Sequence, residues 1–374
     1  MNEELPLWVE VDLSCIRRNT ERLRSLLSPG TMLLAVVKAN GYGHGEVAAA
    51  KAALAGSADW LGVARVDEGA SLRSAGIVAP VLLLAEPPPS AAARAVELGL
   101  VPTLYTISSA RAFSEASRAA GREVPVHIKV DTGMHRYGVP VEEVAAFLSE
   151  VEAMEGLLPR GIWSHFAVAE DVLNPFTKCQ YGRFLDALEA LGPRADGMVR
   201  HLTNSAGLLT FPEAHFDMVR TGIALYGVHP SPALRDRVEL EPALSFRARV
   251  GLSRRLRAGE AVSYGQRFFL ERDGVVATVP CGYADGLSRA LTNVGQVLIR
   301  GRRYRIAGTV TMDHFMVDVG EGEVEAGDEV VILGRQGGDE IDAQEVADRL
   351  GTIPYEVVCN INARVPRLYV GEGW

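Results

Sequence analysis

Residues 33–45 read LLAVVKANGYGHG, and this stretch sets the pattern from which the fold is predicted. Leu33–Val37 is an apolar run of the length and composition of a buried strand. It ends at Lys38, which is followed by a glycine-rich loop and then by helix-favouring sequence. A strand, a polar loop at its carboxyl end and a helix make the repeating unit of parallel α/β folds.

The same alternation continues through the first two-thirds of the chain. Sequence rich in Ala, Leu, Glu and Arg separates eight strand-like runs: Leu33–Val37, Trp60–Ala64, Val81–Ala85, Val101–Tyr105, Val126–Val130, Gly161–Ser164, His201–Thr203 and Asp217–Arg220. One helix is predicted over Ser108–Ala120, with Ser108 as its cap and Gly121 at its end. Eight strands alternating with helices favour a (β/α)8 TIM-type barrel, although a doubly wound open sheet alternates as well.

The sequence changes character near Val238–Glu241. Short β-like runs separated by glycine turns follow, with one helix-like stretch at Ala343–Leu350. We therefore predict an α/β protein with a barrel over residues 12–238 and a C-terminal, mostly β domain over residues 239–374. Residues 1–11 are assigned to the second domain, because the run Trp8–Val11 precedes the barrel pattern.

Composition excludes several classes of protein. The 374 residues are 48% hydrophobic and 23% charged, which is globular rather than disordered or fibrous. The net charge of −9 disfavours a nucleic-acid partner, and no apolar run approaches the ~20 residues that span a bilayer. The N-terminus lacks an apolar signal region, and the four cysteines form no CxxC pair. We expect a cytoplasmic protein that has neither a metal site nor a membrane partner.

Polar residues collect where successive strands end, which is where barrels place their active sites. A lysine that closes a buried strand is costly unless it is paired or its pKa falls, and a desolvated lysine suits an imine-forming nucleophile. The alternative for Lys38 is a side chain that reaches solvent. The polar groups that follow the predicted strands are Lys38, Asp131–Arg136, His165, Thr203–Ser205 and Arg220–Gly222.

Two of these groups follow strands seven and eight, where barrels commonly bind phosphate. They are the Ser205 hydroxyl and the Gly222 amide, and ordinary helix capping is the alternative for the serine. The alternative for His165 is a purely structural histidine. The alternative for Arg136 and Arg220 is a salt bridge at the rim of the barrel.

The stretch Ala35–Gly45 resembles the pyridoxal-phosphate signature of the alanine racemases. A single motif is weak evidence for membership of a family. Several motifs that follow the order of the family over nearly the whole chain are specific evidence. The further segments that resemble the family are Lys129–Arg136, His165–Ala167, His201–Ser205, Arg220–Gly227, Val262–Gly265, Gly282–Gly286, Thr311–Asp313 and Pro354–Glu356.

The resemblance implies a barrel that binds pyridoxal 5′-phosphate, a β domain that contributes a second base, and a head-to-tail homodimer with shared active sites. It implies that Lys38 holds the cofactor as an internal aldimine, that His165 packs near its ring and that Arg220 faces the pyridine nitrogen. The residues it implies for the phosphate are Tyr42, Ser205, Gly222 and Tyr355, with Asn204 close by.

The resemblance also implies substrate contacts. Arg136, the Met312 amide and Tyr283 would bind the amino acid, and Lys129 matches a position that is often carbamylated. Thr311 stands where many members of the family have cysteine, at a position that the resemblance places near the substrate.

A two-base reaction on the external aldimine is implied, with Lys38 serving the face of the D-enantiomer and Tyr264 of the partner subunit serving that of the L-enantiomer. A chain from Tyr264 through His165 to Arg220 would help the phenol to lose its proton. Arg220 would disfavour protonation of the pyridine nitrogen and so suppress transamination.

The function expected from this resemblance is interconversion of L- and D-alanine, supplying D-alanine for peptidoglycan. A racemase for serine or a broader set of amino acids is the nearest alternative. A decarboxylase on a related barrel and a non-catalytic pyridoxal-phosphate carrier are further alternatives, and the presence of Tyr264 in a second domain argues against both.

Overall fold

The computed structural model describes residues 5–372. Residues 1–4 and 373–374, which belong to the predicted second domain, lie outside the described residues. The chain forms two compact units. The barrel unit comprises Ile16–Gly41 and Glu46–Glu241, and the described part of the β-rich unit comprises residues 5–15, 42–45 and 242–372.

The strands are numbered along the chain. They are β1 (Leu7–Asp12), β2 (Met32–Val36), β3 (Trp60–Val63), β4 (Val81–Leu83), β5 (Val101–Leu104), β6 (Val124–Asp131), β7 (Val139–Pro140), β8 (Leu157–Trp163), β9 (Val199–His201), β10 (Met218–Thr221), β11 (Leu244–Arg249), β12 (Leu252–Leu256), β13 (Ala261–Val262), β14 (Phe268–Phe269), β15 (Gly274–Val279), β16 (Gln296–Ile299), β17 (Arg302–Ile306), β18 (Phe315–Gly320), β19 (Glu329–Gln336), β20 (Asp339–Ile341) and β21 (Arg367–Val370).

The α-helices follow the same order. They are α1 (Leu13–Ser25), α2 (Lys38–Tyr42, a left-handed turn rather than a regular α-helix), α3 (Glu46–Ala55), α4 (Val66–Ser74), α5 (Ala92–Glu97), α6 (Ile107–Ala120), α7 (Val144–Glu152), α8 (Phe176–Leu191), α9 (Ser205–Thr210), α10 (Ala343–Leu350) and α11 (Pro354–Cys359). Within residues 5–372, no helix has both the length and the apolar character that a membrane crossing needs.

The barrel unit is a nearly closed ring of eight parallel strands. Their order is β10-β2-β3-β4-β5-β6-β8-β9, and the short β7 pairs with β6. The backbone N–H groups of Asp217 and Arg220 donate to the carbonyls of Arg200 and Thr203, which joins β9 to β10. All residues of β4 and β5 are buried, as expected for parallel strands covered on both faces. The predicted TIM-type barrel is confirmed.

The β-rich unit is built on a ten-stranded sheet. Its strands follow the order β12-β15-β18-β17-β16-β19-β11-β1-β21, with β20 beside β19. All the pairings are antiparallel except that of β1 with β21, and β13 and β14 form a separate hairpin. The alternating burial of β18 and β11 marks a sheet with one covered face. The predicted C-terminal, mostly β domain is confirmed.

Two local predictions were wrong. Thr106, not Ser108, caps helix α6, because its hydroxyl accepts from the Ser109 amide while its own proton goes to Glu86. Gly121 ends this helix in the left-handed conformation, as predicted. The seventh barrel strand is Val199–His201, two residues earlier than predicted, because Asn204 already caps α9.

Candidate active site

Lys38 lies at the end of β2, where the backbone turns in the left-handed sense. Ala39, Asn40, Gly41 and Tyr42 have φ values of 54°, 54°, 59° and 52°. Each residue other than glycine costs roughly 1–2 kcal/mol in this conformation. The Glu68 carboxylate holds the start of the turn by accepting from the Ala39 amide at 2.7 Å. Such strain persists only where surrounding contacts impose it, so this turn fixes where Lys38 stands.

Arg220, on β10, is a buried cation held by neutral acceptors. It is 3% exposed, and its Nη1 donates to His201 Nδ1 at 2.9 Å. Its Nη2 lies 2.8 Å from the Ser164 carbonyl, 3.0 Å from that of Leu202 and 3.1 Å from His165 Nδ1. Within residues 5–372, Arg220 has no carboxylate partner and its Nε has no acceptor. Burial and the charge of Arg136 lower the pKa of Arg220 to about 9, so it stays protonated at neutral pH.

His165 lies directly after β8 and is partly buried. Its Nδ1 accepts from Arg220, which can only donate, so the ring proton is on Nε2. Burial and then the Arg220 charge hold the pKa of His165 well below its ordinary value, which keeps the ring neutral. Gln180 donates to the His165 carbonyl at 2.9 Å and fixes the backbone there.

Lys129 points into the same cluster from β6. It is 3% exposed, and its Nζ lies 4.3 Å from the ring centroid of Trp163. Burial, followed by the charges of Arg136 and Arg220, lowers the pKa of Lys129 to about 7. Arg136 is exposed and forms no ion pair with any described carboxylate. Lys38 adds its charge to this cluster, since it acts on both Lys129 and His165.

Hydrogen-bond donors gather after β9 and β10. The Ser205 hydroxyl, 4% exposed, accepts from the Gly222 amide at 2.9 Å and keeps its own proton for another acceptor. Asn204 caps α9 by accepting from the Gly207 amide. The buried hydroxyls of Thr203 and Thr221 lack a hydrogen-bond partner among the described residues.

In the β-rich unit, Tyr42 lies against Tyr355, with ring centroids 6.2 Å apart. Burial and then Tyr355 raise the pKa of Tyr42, which therefore stays a neutral phenol. Gly43 permits this approach, because a Cβ there would lie 2.3 Å from the carbonyl oxygen of Val358 on α11.

Tyr264 projects from the turn between β13 and β14. Its side chain is 76% exposed, although its backbone is anchored by the Thr309 hydroxyl, which donates to the Tyr264 carbonyl at 2.7 Å. The turn needs positive φ at Ser263, Gly265 and Gln266. An exposed tyrosine on an anchored turn is available to another surface.

Met312 and Tyr283 lie side by side in the same unit, 53% and 44% exposed. The Tyr283 amide donates to the Thr311 carbonyl and the Ala284 amide to the Met312 carbonyl, both at 3.0 Å. Gly282 allows this contact, since a Cβ there would lie 2.2 Å from the Met312 oxygen.

The barrel unit thus brings Lys38, Lys129, Arg136, His165 and Arg220 into one electrostatic cluster. Such a cluster can hold anions and activate an amine. No group of His, Cys, Asp and Glu among residues 5–372 is arranged to hold a metal ion.

Comparison with known proteins gives consistent matches over nearly the whole chain. The profile described as "Alanine racemase, N-terminal domain" matches residues 11–230, and "Alanine racemase, C-terminal domain" matches residues 243–369. The alanine racemase of Symbiobacterium thermophilum is 47% identical over 371 residues, 98% of each chain.

This chain belongs to the alanine racemase family.

Solved structures of the family agree closely with this fold. The alanine racemase of Streptomyces lavendulae is 40% identical with a TM-score of 0.92, over 98% of this chain and 97% of that one. The alanine racemase of Bacillus anthracis, solved with bound L-Ala-P, is 37% identical with a TM-score of 0.91, over 99% and 96% of the two chains.

Sequence reasoning missed several residues of the alanine racemase barrel that contact the cluster. Trp163 lies under both Lys129 and Arg220, and His127 and His201 extend the hydrogen bonds of Arg220. The sequence did contain a signal for His127. It lies two residues before Lys129 on a buried strand, so the two side chains point to the same face of that strand.

Proposed function

We propose that this protein is a pyridoxal-phosphate-dependent racemase that interconverts L-alanine and D-alanine. Membership of the alanine racemase family supports this proposal. The structural observation that carries it is Arg220, a buried cation with no carboxylate partner among the described residues and with a free Nε donor. Such a group suits an aromatic nitrogen that must remain unprotonated.

The residues present fit pyridoxal 5′-phosphate. We assign Lys38 as the amine that binds its aldehyde carbon, and the phosphate to a set made of hydroxyl and amide donors. Ser205 supports that assignment, because its hydroxyl is oriented by the Gly222 amide and still has a proton to donate. The phosphate set is Tyr42, Asn204, Ser205, Gly222 and Tyr355.

When bound, pyridoxal phosphate acidifies the α-C–H bond of an amino acid joined to it. Arg220 limits how far the resulting charge spreads, because its permanent cation disfavours a proton on the ring nitrogen. This restraint favours return of the proton to the α-carbon, as racemisation requires.

Two proton carriers act on opposite faces of the α-carbon. Lys38 Nζ exchanges the proton of the D-enantiomer, and Tyr264 Oη exchanges that of the L-enantiomer. His165 supports the tyrosine, because its Nε2–H can donate to a phenolate oxygen while Arg220 holds Nδ1. The exposure of Tyr264 supports its contribution to the active site of a partner subunit in a homodimer.

The substrate carboxylate is assigned to Arg136 and the Met312 amide, with Tyr283 beside them. Lys129 is assigned as a carbamate, whose negative charge would hold Arg136 in place. The lowered pKa of Lys129, about 7, supports this, because the neutral amine is the form that adds CO2. A chloride ion would also supply the anion that Arg136 requires.

The cellular role follows from the product. D-alanine would supply peptidoglycan synthesis, and we place the protein in the cytoplasm, where its four free cysteines stay reduced. The barrel, residues 12–238, would bind the cofactor, and the domain formed by residues 239–374 and 1–11 would supply the second base.

The test compares wild type, Tyr264→Phe and the control Tyr181→Phe in heavy water, each loaded with pyridoxal phosphate. We expect wild type and Tyr181→Phe to racemise L-alanine and to place deuterium at its α-carbon. Tyr181 serves as the control because its ring contacts only Phe211 and Phe216 among the aromatic side chains described. Tyr264→Phe should stop α-exchange of L-alanine and retain exchange of D-alanine without inversion.

The outcomes separate the alternatives. Exchange of both enantiomers by Tyr264→Phe would contradict its assignment, and faster turnover of L-serine would make the protein a serine racemase. Release of CO2 would indicate a decarboxylase. Cofactor binding with no exchange in the wild type would make the protein a carrier.

A further inference from the structure

Two buried imidazoles of the barrel have no part in the proposed reaction. His127 on β6 and His201 on β9 are both 0% exposed. His127 Nδ1 lies 2.9 Å from His201 Nε2, and His201 Nδ1 lies 2.9 Å from Arg220 Nη1. One unbroken chain of hydrogen bonds therefore runs from β6 to Arg220.

The direction in which each hydrogen bond is donated follows from the guanidinium group at the Arg220 end of this chain. A guanidinium group can only donate, so His201 Nδ1 must accept and carries no proton. The single proton of a neutral His201 is then on Nε2, and it is donated to His127 Nδ1. The reverse direction would leave His201 with no proton at all.

Both rings are kept neutral. Burial and the Arg220 charge lower the pKa of His127 to about 3, and the same causes lower the pKa of His201 well below its ordinary value. A proton on His201 Nδ1 would also replace the acceptor of Arg220 with a donor. The remaining N–H of His127, on Nε2, is buried and has no hydrogen-bond partner among residues 5–372.

The fold has a space shaped for the His127 ring. His127 pairs with Gly161 across the β6–β8 register, directly after an irregularity between Val126 and His127. A Cβ on Gly161 would lie 2.4 Å from His127 Nδ1, so the ring occupies the volume that a side chain there would need. Trp163 stacks on His201 with an interplanar angle of 7°. Packing therefore fixes both rings independently of their hydrogen bonds.

We propose that His127 is a positioning residue for Arg220, because its Nδ1 fixes the tautomer in which His201 accepts the Arg220 Nη1 proton. Without this acceptor, the His201 Nε2–H is a buried donor with no partner, which destabilises the tautomer that accepts from Arg220 relative to the one protonated on Nδ1. Arg220 would then lose one of its fixed contacts. The inference rests on the proposed function, in which Arg220 faces the ring nitrogen of the cofactor.

The predicted consequence is a change in product rather than only in rate. A less firmly held Arg220 allows the ring nitrogen to be protonated more often, which favours transamination. In that side reaction, alanine is oxidised to pyruvate and its amino group passes to the cofactor, which leaves as pyridoxamine phosphate. The ratio of racemisation to pyridoxamine formation therefore reports on Arg220.

The test uses the holoenzyme and two substitutions of one residue. His127→Asn keeps an acceptor near the position of Nδ1, whereas His127→Leu removes it. We expect His127→Leu to lower the ratio of racemisation to pyridoxamine formation by about tenfold, which is the effect of one buried hydrogen bond. His127→Asn should restore most of this ratio.

A second readout does not depend on activity. Nitrogen-15 NMR of histidine-labelled holoenzyme should show the His201 proton on Nε2 in wild type and in His127→Asn. The Nδ1–H form should appear in His127→Leu. Gly161→Ala, which displaces the ring without removing it, should act in the same direction as His127→Leu.

The control is His215→Leu, another buried histidine of the barrel unit, whose ring makes its one hydrogen bond among the described residues with the Leu208 carbonyl. It should lower the melting temperature and leave the product ratio unchanged. Equal ratios in wild type and His127→Leu, or a wild-type His201 protonated on Nδ1, would overturn the inference. Failure of the wild type to racemise alanine would instead overturn the proposed function.

Discussion

Lys129 and Arg220 both lie close to the ring of Trp163, and the comparison shows why they differ in chemistry. Lys129 Nζ lies 4.3 Å from the ring centroid of Trp163, and Arg220 Cζ lies 4.6 Å from it. Burial lowers the pKa of both, but Arg220 begins from a much higher value and stays charged. The pKa of Lys129 falls to about 7, so a substantial share of its amine is neutral near physiological pH.

This difference gives a pH prediction for Lys129. Enzyme equilibrated with carbon-13 bicarbonate should show a carbamate signal that grows as the pH rises through about 7, because only the neutral amine adds CO2. Carbon-13 NMR measures it directly. Lys129→Ala should abolish the signal, whereas alanine at the exposed Lys178 should leave it unchanged. A signal that persists in Lys129→Ala would contradict the assignment.

The sequence allowed site residues to be predicted where they stand at the end of a strand. Lys38 and Arg220 were predicted because they end apolar runs and barrel chemistry lies at strand ends, whereas their individual roles were implied by the family resemblance. His127 was not found, because its role depends on register: the side chain must face Gly161 on the neighbouring strand and His201 on the strand after that. Pairing of this kind is set by long-range contacts that a single sequence does not display.

At the scale of elements, one side chain adds to the backbone hydrogen bonds that join the loops carrying Tyr283 and Met312. Arg364 Nε donates to Asp285 at 2.7 Å, and its Nη2 donates to Asp313 at 2.7 Å. Asp285 in turn accepts from the Gly282 amide at 2.8 Å. The position of the Met312 amide therefore depends on a residue far along the chain.

Arg364→Gln should consequently weaken substrate binding more than turnover. We expect KM for alanine to rise roughly fivefold with little change in kcat, since the bond lost is to a charged group but is half exposed. Steady-state kinetics in both directions measure this. The matched control is Arg335→Gln, which breaks the exposed pair with Glu340. An equal effect of both substitutions would contradict a specific role for Arg364.

The two ends of helix α6 also differ in whether neighbouring or distant residues determine them. Gly121 could be placed at the end of α6 because a left-handed glycine is a local signal. The cap at its other end depends on Glu86, which accepts from the Tyr105 and Thr106 amides and from the Thr106 hydroxyl. That carboxylate lies outside the helix sequence, so the local pattern suggested Ser108 instead.

For the whole molecule, the proposed sharing of bases between subunits makes a quantitative prediction. Lys38→Ala and Tyr264→Phe chains should each be inactive as racemases. Mixed dimers would contain one site with both bases and one with neither. A statistical mixture should therefore recover about one quarter of wild-type activity.

Activity after co-expression or subunit exchange measures this recovery. Wild-type chains mixed with either variant calibrate the statistical distribution of dimers. No recovery from dimers that native mass spectrometry shows to be mixed would mean that each chain supplies both bases to its own site.

Trp163 gives the barrel an optical reporter of its own. Its indole contacts Lys129, Arg220 and His201 at once, and it donates to Thr103 at 3.2 Å. Indole emission is sensitive to neighbouring charge, so cofactor capture or a carbamate on Lys129 would alter its fluorescence. The loading of the site could then be followed in real time during mixing, without a label attached to the chain.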